Sequence, residues 1–169
     1  MELFEALITR KSVRSFTPSK IEDEKLTKIL EAAMQAPSAG RQLPWEFVVM
    51  TDREKLDQIG NFHKWASMTK EAPLGIVVCG NPDKEKHKGT WIQDCSASME
   101  NLLLAAHGLG LGGVWLGIYP EEDRMKGLKE LLNLPENILP LGIAVIGYPI
   151  GNPKTESRYD EKLIHYNTW

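Results

Sequence analysis

Apolar positions along the chain alternate between two patterns, one typical of helices and one typical of buried strands. Helical spacing predicts helices over residues 2–10, 22–36, 52–59 and 91–107, and Pro120 is expected to open a fifth helix that runs to about residue 132. Short continuous apolar runs predict strands at 45–50, 74–80, 114–118 and 139–149. Helices before, between and after a few strands indicate an α+β sandwich with one small sheet.

Two of these helices carry further information. In the helix over 22–36 the spacing directs Leu26, Ile29, Leu30, Ala33 and Met34 inward. The segment 91–107 is apolar on nearly every face. A helix of that kind is buried, either in the centre of the chain or between subunits, and the sequence leaves both options open.

Length and composition then narrow the class of protein. The 169 residues suggest a single domain over 1–169, in which a polar stretch from 150 leads into an apolar C-terminal arm ending at 169. A net charge of −3 argues against nucleic acid as a partner. No apolar run approaches the roughly 20 residues that cross a membrane. No signal peptide is recognisable, and two isolated cysteines suggest a reducing compartment, so we expect a cytoplasmic protein.

Two patterns that imitate functional motifs can be set aside. GLGLGG at 108–113 matches a dinucleotide fingerprint, which works only between a strand and a following helix, whereas here a helix precedes it and a strand follows. A helix end followed by a close-packed turn explains it better. The four histidines lack ligand spacing with one another or with cysteine, so no metal site is predicted.

The segment RKSVR at 10–14 is a stronger candidate. Cations gather at helix C-termini because the helix dipole favours them, which explains one or two of these residues. It does not explain why Ser12 and Arg14 extend the set of donors beyond the helix end. A phosphate dianion would use them all, because guanidinium groups grip its oxygens in pairs and a hydroxyl adds a further donor.

Two loops complete the pattern. APSAGRQLPWEF at 36–47 is richer in small and polar residues than a tight connection needs, and GGVWLGIYP at 112–120 leaves backbone N–H groups accessible. Four motifs follow one another along the chain: R-K-S-V-R; A-P-S-A-G before P-W-E-F-V-V; Asp94 with the long helix into G-L-G-G-V-W-L-G; and G-Y-P followed by Arg158. Together, in this order, they resemble the FMN-dependent nitroreductase family over essentially the whole chain.

This resemblance implies a nitroreductase-like fold with a small, mainly antiparallel sheet, and an intertwined homodimer. Two FMN molecules would lie at the subunit interface, each held by both chains. On the donor side, Arg10 and Ser12 resemble the family's phosphate and ribityl contacts, and Lys11 lies beside them. Arg14 falls where the family places a cation near the pyrimidine end of the flavin, and Arg158 matches a late phosphate contact.

On the loop side, the resemblance assigns Pro37, Ser38 and Ala39 to the segment that reaches the flavin of the partner subunit. Leu116 and Gly117 match the segment whose backbone borders the reactive edge of the flavin. The loop departs from the family at Arg41 and Leu43, where asparagine and glutamine are common, and Gln42 is a candidate to replace one of those contacts.

The implied function is an NAD(P)H-dependent oxidoreductase in which FMN carries the chemistry. Electrons would pass from NADH or NADPH to nitro compounds, quinones or related small acceptors by a ping-pong mechanism, with the choice of nicotinamide left open. The sequence offers no persuasive catalytic triad or carboxylate pair, which suits a reaction performed by the cofactor. Alternatives are a reductive dehalogenase or flavin-modifying member of the same family, a non-enzymatic flavin-binding sensor, or a protein that has lost its cofactor.

Overall fold

Four antiparallel strands form one open sheet in a computed structural model that describes residues 1–151, 155 and 157–169. The strands are β1 (Trp45–Met50), β2 (Leu74–Gly80), β3 (Gly112–Gly117) and β4 (Leu139–Gly147). Their order is β1-β2-β4-β3, and every neighbouring pair is antiparallel. The predicted α+β class with a mainly antiparallel sheet is therefore confirmed.

In the described part of the chain, five α-helices accompany the sheet: α1 (Leu3–Thr9), α2 (Asp23–Met34), α3 (Arg53–Gln58), α4 (Trp91–Gly108) and α5 (Glu122–Leu132). They agree with the predicted helices within a few residues. The exception is Pro120, which was expected to open α5. It lies instead in a turn after a cis peptide bond with Tyr119, and Glu121 keeps an extended backbone, so the helix begins at Glu122.

The sheet is the middle layer of the fold. Along β2, Ile76 and Val78 face a core shared with α2 and α4, whereas Val77 and Cys79 face a second core shared with α3 and α5. Alternate residues of a strand point to opposite faces, so a strand covered on both faces must be apolar at every position. All seven residues of β2 are buried, which is why it reads as an unbroken apolar run.

The long helix α4 packs on the sheet, on α2 and on α1, and is thus central within the chain. Met34 was predicted to face inward with Ile29 and Ala33, and this was wrong. Ile29 and Ala33 are fully buried, but Met34 lies one residue further round the last turn of α2 and is about half exposed.

The N-terminal helix leaves its apolar face uncovered within the chain. Of its seven residues only Ala6 is buried, while Leu3 and Phe4 are 72% and 77% exposed and Leu7 and Ile8 are also exposed. Contiguous apolar surface of this kind usually marks an interaction site.

The remaining sequence expectations concern cysteines, histidines and glycines. Cys79 and Cys95 are buried, and burial raises the pKa of each thiol to about 12, so both are inert small side chains. No group of three potential metal ligands occurs among the described residues. None of the described helices is long and apolar enough to cross a membrane. The glycine-rich turn at 108–113 runs from a helix into a strand, as expected.

Candidate functional site

Residues 10–14, called the donor segment below, are fixed beside the first residues of β3. Helix α1 ends at Thr9, and the Val13 N–H donates to the carbonyl of Gly113 over 2.9 Å. Ser12 forms a parallel bridge with Gly113. Gly112 has no side chain, and a Cβ there would lie only 2.8 Å from Val13, so the glycine permits this close approach. The fold thus aligns the donor segment with an edge strand.

The side chains of the donor segment differ in exposure. Ser12 and Arg14 are exposed. Arg10 is partly buried and forms an ion pair with Glu100 of α4 at 3.6 Å between Nε and Oε1. Lys11 donates to the hydroxyl of Thr155 over a long 3.4 Å. Most of the hydrogen-bonding capacity of the segment is therefore available to a ligand.

A cavity of about 540 Å³ lies where α1 ends. It brings together Arg10 and Arg158, which come from opposite ends of the sequence. The lining consists of Leu7, Ile8, Thr9, Arg10, Glu100, Thr155, Ser157, Arg158 and Tyr159. Another cavity, of about 690 Å³, lies among Phe16, Arg53 and Leu74 and contains none of the predicted site residues. We assign the candidate site to the first cavity because it contains two of the predicted donors, although Lys11, Ser12 and Arg14 are not among the residues that line it.

A histidine supports the end of α1 beside this cavity. The Thr9 hydroxyl donates to the carbonyl of Glu5 over 2.6 Å, so at 2.7 Å it accepts a hydrogen bond from Nε2–H of His107. Burial, followed by the positive charges of Arg10 and Lys11, lowers the pKa of His107. The imidazole is thus a neutral donor at neutral pH.

Residues 37–43, called the flavin-facing loop below from the role the resemblance assigns to it, are held by a buried carboxylate. Asp94 of α4 accepts from the Ala39 N–H at 3.0 Å and from Gln42 Nε2 at 2.6 Å. Within the loop Gly40, Arg41 and Leu43 all have positive φ, near +50°. Left-handed backbone at Arg41 and Leu43 is costly for residues with a side chain and persists only where the surroundings enforce it.

Gln42 ties this loop to the segment before α4. Its Nε2 also donates to the Thr90 hydroxyl over 2.8 Å, and its Oε1 accepts from the N–H groups of Lys86 and His87. An amide side chain can make four hydrogen bonds, and all four are made within the chain. A direct contact from Gln42 to a ligand would require breaking one of them. Pro37, Ser38 and Ala39 remain exposed or half-buried at the tip of the loop.

At the far end of β3, Leu116 is buried and Gly117 is partly exposed. Nothing lies within 4 Å of the position that a Cβ on Gly117 would occupy, so the backbone there borders open space. The Gly117 carbonyl accepts from His63 Nε2 at 3.1 Å and from Arg124 Nη1 at 3.0 Å. The end of β3 is therefore held by two side chains from outside the sheet, while one face of Gly117 stays accessible.

Sequence reasoning did not identify Asp94, His63 or Arg124 as site residues. Asp94 had a recognisable signal, because it is one of only two acidic residues, with Glu100, in a helix that is otherwise apolar on nearly every face. His63 and Arg124 had none, because their partner is a backbone carbonyl, which leaves no pattern of residue types.

Comparison with known proteins gives a consistent result. The chain matches the model of the nitroreductase family over residues 7–66 and 62–148. A Methanothermobacter thermautotrophicus protein, provisionally named NADH dehydrogenase/NAD(P)H nitroreductase, is 44% identical over 100% of this chain and 88% of its own length.

Two solved structures extend the comparison. A provisionally named NADH oxidase from Clostridium acetobutylicum superimposes with a TM-score of 0.94 at 47% identity, covering 97% of this chain and 99% of that one. An FMN-dependent nitroreductase from Clostridium difficile gives a TM-score of 0.90 at 32% identity, covering 98% and 99%. The protein described here belongs to the nitroreductase family.

Proposed function

We propose that this protein is an FMN-dependent oxidoreductase that passes electrons from NADH or NADPH through bound FMN to nitro compounds, quinones or related small acceptors, by a ping-pong mechanism in the cytoplasm. The names of its relatives support a nicotinamide donor and FMN. The observation that carries the proposal is the convergence of Arg10 and Arg158 on one cavity.

The residues of that cavity fit the phosphate of FMN. Two guanidinium groups supply paired donors and two positive charges, which suit a phosphate dianion. Ser12 and Lys11 supply further donors close by in the chain. The apolar side chains of Leu7 and Ile8 line the rest of the cavity and can cover the ribityl chain.

The ring of the cofactor would then lie along β3 toward Gly117. Gly117 lies four residue steps beyond Gly113, and a strand rises ~3.4 Å per residue, so the two positions are roughly 14 Å apart. An extended mononucleotide can bridge that distance. FMN, when bound, supplies the electron transfer itself. Leu116 and Gly117 would border its reactive edge, and Arg14 would place a cation where negative charge develops on reduction.

A second copy of the chain would complete the site. The uncovered face of α1 supplies apolar surface for a dimer interface. The flavin-facing loop would present Pro37, Ser38 and Ala39 to the cofactor of the partner subunit. Because Asp94 and Gln42 fix the loop from behind, its tip could serve as a rigid wall of a site shared between subunits.

We further propose that 1–169 works as one FMN-binding domain whose arm, 150–169, crosses to the partner. Residues 152–154 and 156 of this arm lie outside the described residues. Tyr159, Leu163, Tyr166 and Trp169 are all at least 75% exposed within one chain. Burying each against the partner would contribute roughly 1.5–3 kcal/mol.

Truncation after Arg158 should therefore weaken dimerisation and release FMN on dilution, which sedimentation with flavin absorbance would follow. An arm folded back on its own subunit would leave the truncated protein dimeric and yellow.

Anaerobic stopped-flow spectroscopy of the FMN-loaded protein tests the function. Mixing with NADH and with NADPH should bleach the flavin absorbance, and subsequent mixing with a quinone or a nitroaromatic should restore it. An aryl halide in the acceptor panel covers the dehalogenase alternative. If neither NADH nor NADPH reduced bound FMN, the result would instead favour a flavin-binding sensor. Failure to bind FMN at all would overturn the proposal.

A further inference from the structure

His63 is a buried imidazole that acts on the end of β3 from a separate segment. It is 3% exposed, and its Nε2 lies 3.1 Å from the Gly117 carbonyl oxygen. On the other side of the ring, the backbone N–H of Trp65 donates to Nδ1 over 3.3 Å. A carbonyl can only accept, and a backbone N–H can only donate. The two contacts together fix the neutral tautomer with the proton on Nε2.

Arg124 makes the second contact to the same oxygen. Its Nη1 donates to the Gly117 carbonyl over 3.0 Å from the first turns of α5. Each of the two donors comes from outside the sheet. A carbonyl with two lone pairs is thereby fully used, so the peptide group at Gly117 has one preferred orientation.

The segment that carries His63 is itself clamped to α5. Phe62 packs so closely on Gly127 that a Cβ there would overlap its ring. The helix therefore carries both Arg124 and the surface on which Phe62 rests. His63 and Arg124 are thus held together beside the end of β3, where open space borders Gly117.

We infer that His63 and Arg124 are positioning residues that hold the Gly117 backbone in place against the flavin ring, and that protonation of His63 disturbs this arrangement by breaking the hydrogen bond from Trp65 that orients the imidazole. This inference rests on the proposed function, because it takes Gly117 as a border of the ring. Neither residue needs to touch the cofactor. Their effect passes through one carbonyl oxygen.

The chemistry of the imidazole gives this arrangement a pH dependence. Protonation puts a second N–H on Nδ1, which then faces the Trp65 N–H, donor against donor, and adds a charge beside Arg124. Lys64 adds another cation on the same segment, while Glu121, Glu122 and Asp123 line a surface pocket nearby with Phe62. Burial lowers the pKa of His63. The hydrogen bond to Gly117 opposes this shift, and the positive charge of Arg124 adds to it. The Trp65 hydrogen bond to Nδ1 is therefore intact at neutral pH and is lost when His63 is protonated, at a pH below the ordinary range of a histidine.

The variants that test the inference are His63→Gln and His63→Leu. The amide nitrogen of glutamine keeps a neutral donor for Gly117 but does not titrate, whereas leucine removes the donor. Lys64→Gln, an exposed neighbour, is the control. If His63→Leu fails to fold, Arg124→Met removes the other donor and serves in its place.

The first readout does not depend on activity. Heteronuclear NMR of the full chain without FMN should show the Nε2–H tautomer of His63, and the Gly117 amide resonance should titrate with this imidazole. In His63→Gln that titration should vanish. Addition of FMN should shift the Gly117 amide of the wild type. A Gly117 amide that is indifferent to both pH and FMN overturns the inference.

The second readout is the rate of FMN reduction by NADH as a function of pH. Misplacing a group by about 1 Å can cost as much as 100-fold in rate, so His63→Leu should be slower by roughly ten-fold or more at pH 7.5. Wild type and Lys64→Gln should lose rate as the pH falls below the ordinary range of a histidine, and His63→Gln should keep it. The same acid limb in His63→Gln would overturn the inference and leave the proposed function standing. Absence of FMN binding by the wild type would overturn both.

Discussion

The donor segment and the flavin-facing loop are both assigned to one cofactor, yet the fold uses their side chains in opposite ways. The donor segment is fixed by its backbone, through Val13 and Gly113, and leaves Ser12 and Arg14 exposed. The loop is fixed by side chains, through Asp94 and Gln42, whose hydrogen bonds all stay within the chain. The donor segment therefore presents side chains to a ligand, and the loop presents its backbone and small residues.

This difference separates two kinds of effect. Substitutions in the donor segment should change affinity and leave stability nearly unchanged, because few internal contacts are lost. Substitutions at the anchors of the loop should change stability first, because they leave buried groups without partners.

Asp94→Asn should give the largest loss of stability. The new amide presents two hydrogens toward a site where the Ala39 N–H and the Gln42 amide already donate, so at least one buried donor loses its acceptor. Each such loss costs about 1–3 kcal/mol, and we expect a total near 3 kcal/mol in the free energy of unfolding. Urea unfolding at pH 7.5 would measure it. Asp123→Asn, an exposed carboxylate in α5, is the control, and equal small losses in both variants would contradict the anchoring role.

Arg10→Ala and Arg158→Ala should weaken FMN binding without a comparable loss of stability. A hydrogen bond to a charged group contributes roughly 1.5–3 kcal/mol, so each variant should bind FMN about ten- to a hundred-fold more weakly. Fluorescence titration measures the affinity, and Lys126→Ala on α5 is the control. Riboflavin lacks the phosphate and should bind all the proteins alike. Equal losses for FMN and riboflavin would mean that the arginines act through packing.

The same contrast explains which parts of the molecule were predictable from sequence. β2 and β4 were recognised because strands buried on both faces are apolar throughout, and the donor segment was recognised because it gathers three cations and a hydroxyl within five positions. Met34 was misplaced by one position in the last turn of α2, and Pro120 was misplaced because the chain makes a turn before α5 begins. His63 escaped notice because its partner is a backbone carbonyl of a distant segment, whereas Asp94 carried a signal of residue type that sequence reasoning did not use.

His107→Gln should reduce the pH dependence of stability, a smaller effect than the two above. The pKa of His107 is lowered in the folded chain, first by burial and then by Arg10 and Lys11. Just below pH 6.5 the unfolded chain therefore binds a proton that the native chain does not, and stability falls as the pH drops through this window. Glutamine keeps a donor for Thr9 and removes the titration. Urea unfolding at pH 7.5 and 5.5 should show a shallower decline in the variant than in wild type or in His165→Gln. His63 still titrates, so the decline should not vanish. An unchanged slope would contradict the assignment.

Glu100→Gln should strengthen FMN binding slightly. Glu100 is half exposed and lies 3.6 Å from Arg10, in the cavity where we place the phosphate, so its carboxylate competes with the phosphate for the guanidinium and repels it. An exposed ion pair contributes about 0.2–1 kcal/mol, which limits the gain in affinity to about five-fold. The gain should shrink as salt is raised, because screening weakens the competing charge. Riboflavin should show no gain, and Glu31→Gln, an exposed carboxylate of α2, should leave FMN affinity unchanged. Weaker FMN binding by Glu100→Gln would instead mean that Glu100 orients Arg10 toward the phosphate, and the donor segment would then depend on a side-chain anchor as the loop does.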